Sequence, residues 1–346
     1  MTSNRRDNDS YVNRRKVAIL SVALLLIMIS ILVSFNLLLG WPAKTNAKDH
    51  QVNNNKKKIA PADNLKVAFI SDQDINENSK NVLRLIKGEG ASMIINAGDL
   101  NYQGDTKGWE KSINEILGDD YPYFIVRGNH DYRKWSDYQI SFKKRLEKIE
   151  GVSYEGDLGV KSVITYKGIR LIFLGGMRSS LQKEYEKYLS RQLTSDNDYI
   201  WEIVAWHKNQ RLLQVGDKKD EASYDLYDIA REEGAIIATG HNHLYARTKL
   251  MASFKDQQVE SESNTLTIDK GYTFAFTNGL GGKSIDTQDT DLADNPWWAA
   301  IYSKDQGANY GALFITFSPA GQTNSATGYF KDIDGKIIDE FTLIKK

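Results

Sequence analysis

Five short clusters of metal-capable side chains each close an apolar run. They are Ser71-Asp72-Gln73-Asp74 after KVAFI, Gly98-Asp99-Leu100-Asn101-Tyr102 after MIIN, and Gly128-Asn129-His130-Asp131 after YFIVR. His207 follows Val204-Ala205-Trp206, and Gly240-His241-Asn242-His243 follows IIAT. Four of the chain's five histidines lie in these clusters; the fifth, His50, sits in a polar stretch. Imidazole is the commonest protein metal ligand and titrates near neutrality, so a chain this sparing with it points to chemistry at those positions. Oxygen donors mixed with imidazole suit Fe, Mn or Zn. Two such cations about 3.5–4 Å apart, bridged by one carboxylate, are a device for hydrolysing phosphate esters. There is no cysteine, which excludes thiolate metal sites, disulfides and cysteine nucleophiles together.

The elements that must position these clusters read as alternating strands and helices. Apolar runs over Lys66–Ile70, Met93–Asn96, Tyr123–Arg127, Ile200–Ala205 and Ile236–Thr239 predict buried strands. Helices are predicted near Ser79–Lys87, through Trp109, Ile113 and Leu117, near Tyr138–Ile149, over Gln182–Leu193 and around Tyr224–Glu232. A hairpin is expected over Ser162–Tyr166 and Arg170–Leu174, turning at Lys167-Gly168. Beyond Tyr245 the chain is strand-rich, with runs at Tyr272–Thr277, Tyr310–Phe317, Gly328–Lys331 and Ile337–Leu343. The expected fold class is α/β: two packed mixed sheets flanked by helices. In such sheets ligands gather beyond the carboxyl ends of strands, which is where all five clusters fall.

The N-terminus differs from the rest. Val17 to Leu39 is 23 residues without a charge. As a helix it would span roughly 34 Å, enough to cross a bilayer. Arg14-Arg15-Lys16 on its N-terminal side predicts a cytoplasmic N-terminus and an extracytoplasmic domain, with Trp41 at the interface. Secretion after cleavage of a signal peptide is the alternative. The expected organisation is a basic tail over 1–16, a transmembrane anchor over 17–39, a flexible stalk over 40–64 and a metal-dependent domain over 65–346. Residues 63–346 carry 35 Lys and Arg against 42 Asp and Glu, a net charge of −7 hidden by the neutral total. An acidic domain argues against long nucleic acids as partners. No feature of the sequence bears on oligomeric state.

The ordered set Asp-x-x, Gly-Asp-x-x-Tyr, Gly-Asn-His-Asp, Val-x-x-His and Gly-His-x-His resembles the calcineurin-like metallophosphoesterases. The tyrosine three residues after Asp99 is similar to the purple acid phosphatase branch. The resemblance covers about residues 66–247. It implies that Asp72, Tyr102 and His243 hold one metal, that Asn129, His207 and His241 hold a second, and that Asp99 bridges them. A tyrosinate ligand implies Fe(III) at the first position, with Fe(II), Mn(II) or Zn(II) at the second. By the same resemblance His130 is not a ligand but orients the phosphate and assists the leaving alcohol. The implied reaction is hydrolysis of a small phosphate monoester by in-line attack of a metal-activated hydroxide. Hydrolysis of small diesters by the same centre is one alternative. A membrane-tethered, non-catalytic binding protein with a degenerate metal site is another.

One position departs from the pattern. Where relatives carry Gly or His two residues after the first aspartate, this chain has Asp74. It could bind near the metals, support a ligand from behind or cap a helix; Asp131 is a second candidate for such support. The ordinary reading of Asp72 and Asp99, each between a strand and a helix, is a helix N-cap. Gly279-Leu280-Gly281-Gly282-Lys283-Ser284 lacks the first glycine of a nucleotide-binding loop, so a glycine-rich turn near the site mouth is expected. Lys208, Asn209 and Gln210, directly after His207, are candidate contacts for phosphate or leaving group.

Overall fold

Strands buried on both faces need continuous apolar runs, and the first of them, LKVAFI, is buried over all but one residue. The computed structural model describes residues 58–195 and 197–346. The segment Val17–Leu39, the basic tail before it, Trp41 and His50 lie outside the described residues. Among the described residues no helix is long and apolar enough to cross a membrane.

The chain opens with β1 (Leu65–Ile70), α1 (Glu77–Gly88), β2 (Met93–Asn96), α2 (Thr106–Leu117), β3 (Tyr123–Ile125) and α3 (Trp135–Leu146). An antiparallel run follows, β4 (Ser153–Asp157), β5 (Lys161–Tyr166) and β6 (Ile169–Leu174), then α4 (Gln182–Leu193), β7 (Trp201–Trp206), α5 (Tyr224–Glu232) and β8 (Ile236–Thr239). Next come β9 (Tyr245–Thr248), β10 (Leu250–Ser253), β11 (Gln258–Ser261), β12 (Thr265–Ile268) and β13 (Ala275–Asn278). The short α6 (Thr290–Ala293) precedes β14 (Trp298–Tyr302), β15 (Gly311–Phe317), β16 (Ser325–Asp332) and β17 (Ile337–Lys345).

β10 pairs with β11 in a separate two-stranded ribbon, and the other fifteen strands form two mixed sheets. One has seven strands in the order β12-β17-β16-β15-β1-β2-β3; the other has eight, β14-β9-β13-β8-β7-β6-β5-β4. Side chains from both, such as Phe69 and Phe276 with ring centroids 5.1 Å apart, make the core between them. A buried ion pair also crosses that core. Arg247 on β9 donates to both carboxylate oxygens of Asp339 on β17 at 2.6 and 2.8 Å, and the Tyr245 hydroxyl adds a third bond at 2.7 Å.

Register explains why the clusters meet. Ile70 pairs with Asn96, and Asn96 with Ile125, so β1, β2 and β3 end level. Ala205 pairs with Ala238, and Ala238 with Phe276, aligning β7, β8 and β13 in the other sheet. The loops after these six parallel-paired strands carry all five clusters and the glycine-rich turn. The chain also joins the domain ahead of β1: the Ile59 N–H donates to the Asp198 carbonyl at 2.7 Å, and the Ile200 N–H to the Ile59 carbonyl at 3.0 Å.

Candidate metal centre

The helices beside the site have their own caps. Asn76 accepts from the Ser79 N–H at 3.0 Å to start α1, and Asp105 accepts from the Gly108 N–H at 2.9 Å to start α2. Asp72 and Asp99 are therefore not caps, and their carboxylates are free to turn inward. Both are held in left-handed backbone, φ 55° and 54°, as are Asp74 (70°) and His241 (72°). Left-handed φ costs a residue with a side chain about 1–2 kcal/mol. It persists because loop-to-loop hydrogen bonds over-determine it: the Asp72, Gln73 and Asp74 N–H groups donate to the carbonyls of Gly98, Asp99 and Leu100 at 3.0, 3.0 and 3.1 Å.

The structure brings the candidate donors together in two groups. Tyr102 Oη lies 2.8 Å from Asp72 Oδ1 and 2.9 Å from His243 Nε2, and His243 Nε2 lies 3.2 Å from the same oxygen. Donors of one cation at about 2.0–2.2 Å stand about 3 Å from one another, the spacing seen here. In the second group Asp99, His207 and His241 each offer an atom within 4.8 Å of the others. His207 Nε2 is 3.1 Å from Asp99 Oδ2 and 4.0 Å from Asp72 Oδ1, which joins the groups. His207 Nε2 thus faces the Asp99 carboxylate, whereas Asn129 Oδ1 is buried with no hydrogen-bond partner. A buried polar atom left unpaired costs about 1–3 kcal/mol, so Asn129 Oδ1 fits a site built for a cation.

Each histidine is aimed from behind. The outer nitrogen of His207, Nδ1, faces the Ala97 carbonyl at 2.9 Å; that of His243, Nδ1, faces Ser284 Oγ at 2.5 Å; that of His241, Nε2, faces the Glu221 carboxylate at 2.8 Å. Such partners fix the tautomer and leave the opposite nitrogen for a metal. Glu221 in turn pairs with the Lys208 ammonium. Burial works against its charge, yet the hydrogen bonds from His241 and Lys208 take it down to about 2.

The electrostatics are those of negative charge gathered in a low-dielectric space. Burial would raise the Asp72 and Asp99 carboxyls, but neighbouring imidazoles outweigh it and both lie below their ordinary range. His207, which burial would lower, is held up at about 9 by Asp99 and Asp72. Burial, with Asp72 and Asp99 beside it, drives the Tyr102 phenol far above its usual value. Asp131 is pushed up to about 7 by burial and by the Asp99 charge. It accepts from the N–H groups of Asp99, Leu100 and Gly128 at 3.0, 2.9 and 2.7 Å, so it braces the loops rather than facing the donors.

His130 stands apart. Its side chain is 47% exposed, its backbone N–H donates to Asp99 Oδ1 at 2.8 Å, and its ring packs on Tyr102 with centroids 4.4 Å apart. Asp74, by contrast, touches no donor. It accepts from the Ile75 N–H at 2.9 Å and from Lys283 at 3.0 Å, and that ammonium sits 4.3 Å from the Tyr102 ring centroid. The glycine-rich turn packs against the site: the Gly281 and Lys283 N–H groups donate to the Ser71 and Asp72 carbonyls at 3.0 Å each.

Sequence reasoning missed Glu221, Lys283 and Asp286, whose carboxylate accepts from the His243 N–H at 3.1 Å. Ser284 and Lys283 lie in the glycine-rich run that the sequence does mark. Glu221 sits in a charged stretch, Asp217 to Glu221, that reads as a solvated loop and carries no local signal.

A family model described as calcineurin-like phosphoesterase matches residues 65–245, more than half of the chain. The chain belongs to the calcineurin-like phosphoesterases. Among solved structures, this phosphoesterase is similar to the purple acid phosphatase PPD1 from yellow lupin (Lupinus luteus) seeds, at 15% identity and a TM-score of 0.59. The match covers 83% of this chain but 55% of the lupin protein, so the phosphoesterase spans about half that relative's length. It is also similar to GAP50, described as the anchor in the inner membrane complex of Plasmodium. That match has 15% identity, a TM-score of 0.53, and covers 82% of this chain and 89% of that one. At these identities the likeness is one of fold. No curated protein matches the sequence.

Proposed function

We propose that this phosphoesterase is a binuclear-metal phosphatase acting on small phosphate monoesters. The observation that carries the reading is the aiming of three histidines, each tied at its outer nitrogen, around two buried carboxylates. Asp72, Tyr102 and His243 would hold one cation, Asn129, His207 and His241 the other, with Asp99 between them. When bound, the pair supplies Lewis acidity and a water acidified to near neutral pH. The preferred pair is Fe(III) with Fe(II), Mn(II) or Zn(II): a phenol as reluctant to ionise as that of Tyr102 would need a strongly Lewis-acidic cation to ligate as phenolate, its proton passing to solvent.

The chain's own residues do the rest. Asp131 holds the Asp99 turn through three backbone N–H groups. His130, packed on Tyr102 and open to solvent, donates a proton to the departing alkoxide. Asp74 displaces no donor, because Lys283 neutralises it. Non-catalytic anchoring is a second reading, favoured by the fold shared with GAP50; the complete donor set supports catalysis instead. The reading places the domain outside the membrane on a single anchor, resting on the uncharged Val17–Leu39 segment and the basic residues before it.

A panel of aryl phosphate monoesters and bis-aryl diesters, run across pH on metal-reconstituted protein, tests this. Monoesters should turn over at least about tenfold faster, and His130→Ala should slow alkyl phosphates more than aryl ones, since the poorer leaving group needs the proton more. Faster diester hydrolysis would move the substrate class. No hydrolysis of either would leave the anchoring reading.

A further inference from the structure

On the Asn129–His207 flank of the metal centre lies a concentration of positive charge that the donors do not use. Arg127 ends the run that leads into Gly128-Asn129-His130, and Arg178 follows β6. Both guanidinium groups stack on one ring, that of Tyr132, at 4.4 and 4.6 Å from its centroid. The ring is fixed in turn: its hydroxyl donates to the Gly176 carbonyl and accepts from Arg178 Nε at 3.3 Å. Gly176 is in left-handed backbone at φ 70°, and a side chain there would collide with the Arg127 guanidinium. The loop is thus shaped around that arginine.

Arg127 Nε is buried with no hydrogen-bond partner. Among the described residues no carboxylate pairs with either guanidinium, although the domain is acidic overall. Arg127 and Tyr132 border a gap of only about 10 Å³ shared with Asn129, His207 and Lys208, which puts Arg127 beside the candidate metal donors, with Arg178 on the exposed side of the ring. Of the cations at this gap, Lys208 is already committed to Glu221. Each guanidinium gains from the ring, but the two like charges repel one another, and a bound anion would relieve that repulsion. A guanidinium offers a planar fork of donors that matches phosphate oxygens better than a point charge does.

We propose that Arg127 and Arg178 form a subsite for a second phosphate group of the substrate, distinct from the one hydrolysed. The inference rests on the phosphatase reading and narrows it: the preferred substrate is a small bisphosphate whose non-scissile phosphate lies on the Asn129 side.

Two substrate pairs that differ by one phosphate test it: fructose 6-phosphate with fructose 1,6-bisphosphate, and adenosine 5′-phosphate with adenosine 3′,5′-bisphosphate. For at least one pair, kcat/KM of the metal-loaded full chain should favour the bisphosphate by about tenfold or more, mostly through KM, as expected for one charge-assisted contact. Arg178→Met, at an exposed position, should collapse that ratio towards one, and Arg178→Lys should restore part of it. No preference in either pair, or a preference that survives Arg178→Met, overturns the subsite. So does an equal loss on mono- and bisphosphates, which would assign the arginines to the scissile group. Calorimetric titration of the same samples with the two fructose phosphates separates this from the parent reading. If nothing is hydrolysed but the bisphosphate binds about tenfold tighter and loses that gain in Arg178→Met, the subsite stands and the phosphatase reading falls. If the two bind alike, the subsite falls.

Discussion

Glu221→Gln isolates the role of a residue that touches no metal position. The change keeps the side chain's size and an oxygen that can accept from His241 Nε2, now 2.8 Å away, but removes the charge. A carboxylate behind a ligating imidazole fixes its tautomer and raises its basicity, and losing such a partner weakens metal binding about 10- to 100-fold. Tenfold corresponds to about 1.4 kcal/mol. Glu221 is 26% exposed at its side chain and shares its charge with Lys208, so the lower part of that range is expected, about 10- to 30-fold. The assay is competitive titration of chelator-stripped protein with Zn(II). The loss should fall on one of two binding steps, that of the Asn129–His207–His241 group, and leave the step assigned to Asp72, Tyr102 and His243 within about twofold. An unchanged isotherm, or equal weakening of both steps, would refute the division of donors into two groups.

Three further outcomes are expected. Tyr102→Phe should abolish the visible charge-transfer band of an iron-loaded form while the fold survives; a persisting band would remove Tyr102 from the ligand set. Asp339→Asn strips the carboxylate charge from the fully buried Arg247 and should cost about 3–5 kcal/mol in denaturant unfolding, against less than 1 kcal/mol if the pair were incidental. Lys345→Met should stabilise the protein near pH 7. Burial takes this ammonium from its usual 10.5 down to about 8, so below pH 8 the folded state bears the cost of a buried charge, and between about 8 and 10.5 wild-type stability rises with pH as that charge is lost. The drop corresponds to about 3 kcal/mol, and the variant gives back about 1 kcal/mol with the 2.6 Å bond to the Gly234 carbonyl, leaving about 2 kcal/mol that vanishes towards pH 10. A gain that did not shrink with pH would contradict this.

What could be read from the sequence follows physical lines. Strands buried on both faces, such as β2 and β8, announce themselves as apolar runs with bounds that match to the residue, and so do the amphipathic helices α4 and α5. The candidate donor clusters can be read in the sequence because strand-end loops are short and each cluster is local. β4 was not legible: every residue of Ser153–Asp157 is exposed, so no alternation marks it. β9 hid behind Arg247, whose burial makes sense only once Asp339, 92 residues on, is placed beside it. The same holds at the site. Glu221 and Asp286 reach their histidines across 20 and 43 residues of chain, and nothing in their own surroundings marks them. Asp74 shows the converse, since its sequence context invites a metal role and its geometry gives it to Lys283.

The central claim is that seven side chains form one centre for two metals that hydrolyses phosphate monoesters. Metal analysis of purified protein, paired with aryl phosphate turnover on the same preparation, tests it most directly. Close to two metal ions per chain with turnover are expected, and loss of both ions and of activity in Asp99→Ala. Fewer than one ion per chain with no hydrolysis, or an Asp99→Ala variant that keeps both, would contradict it.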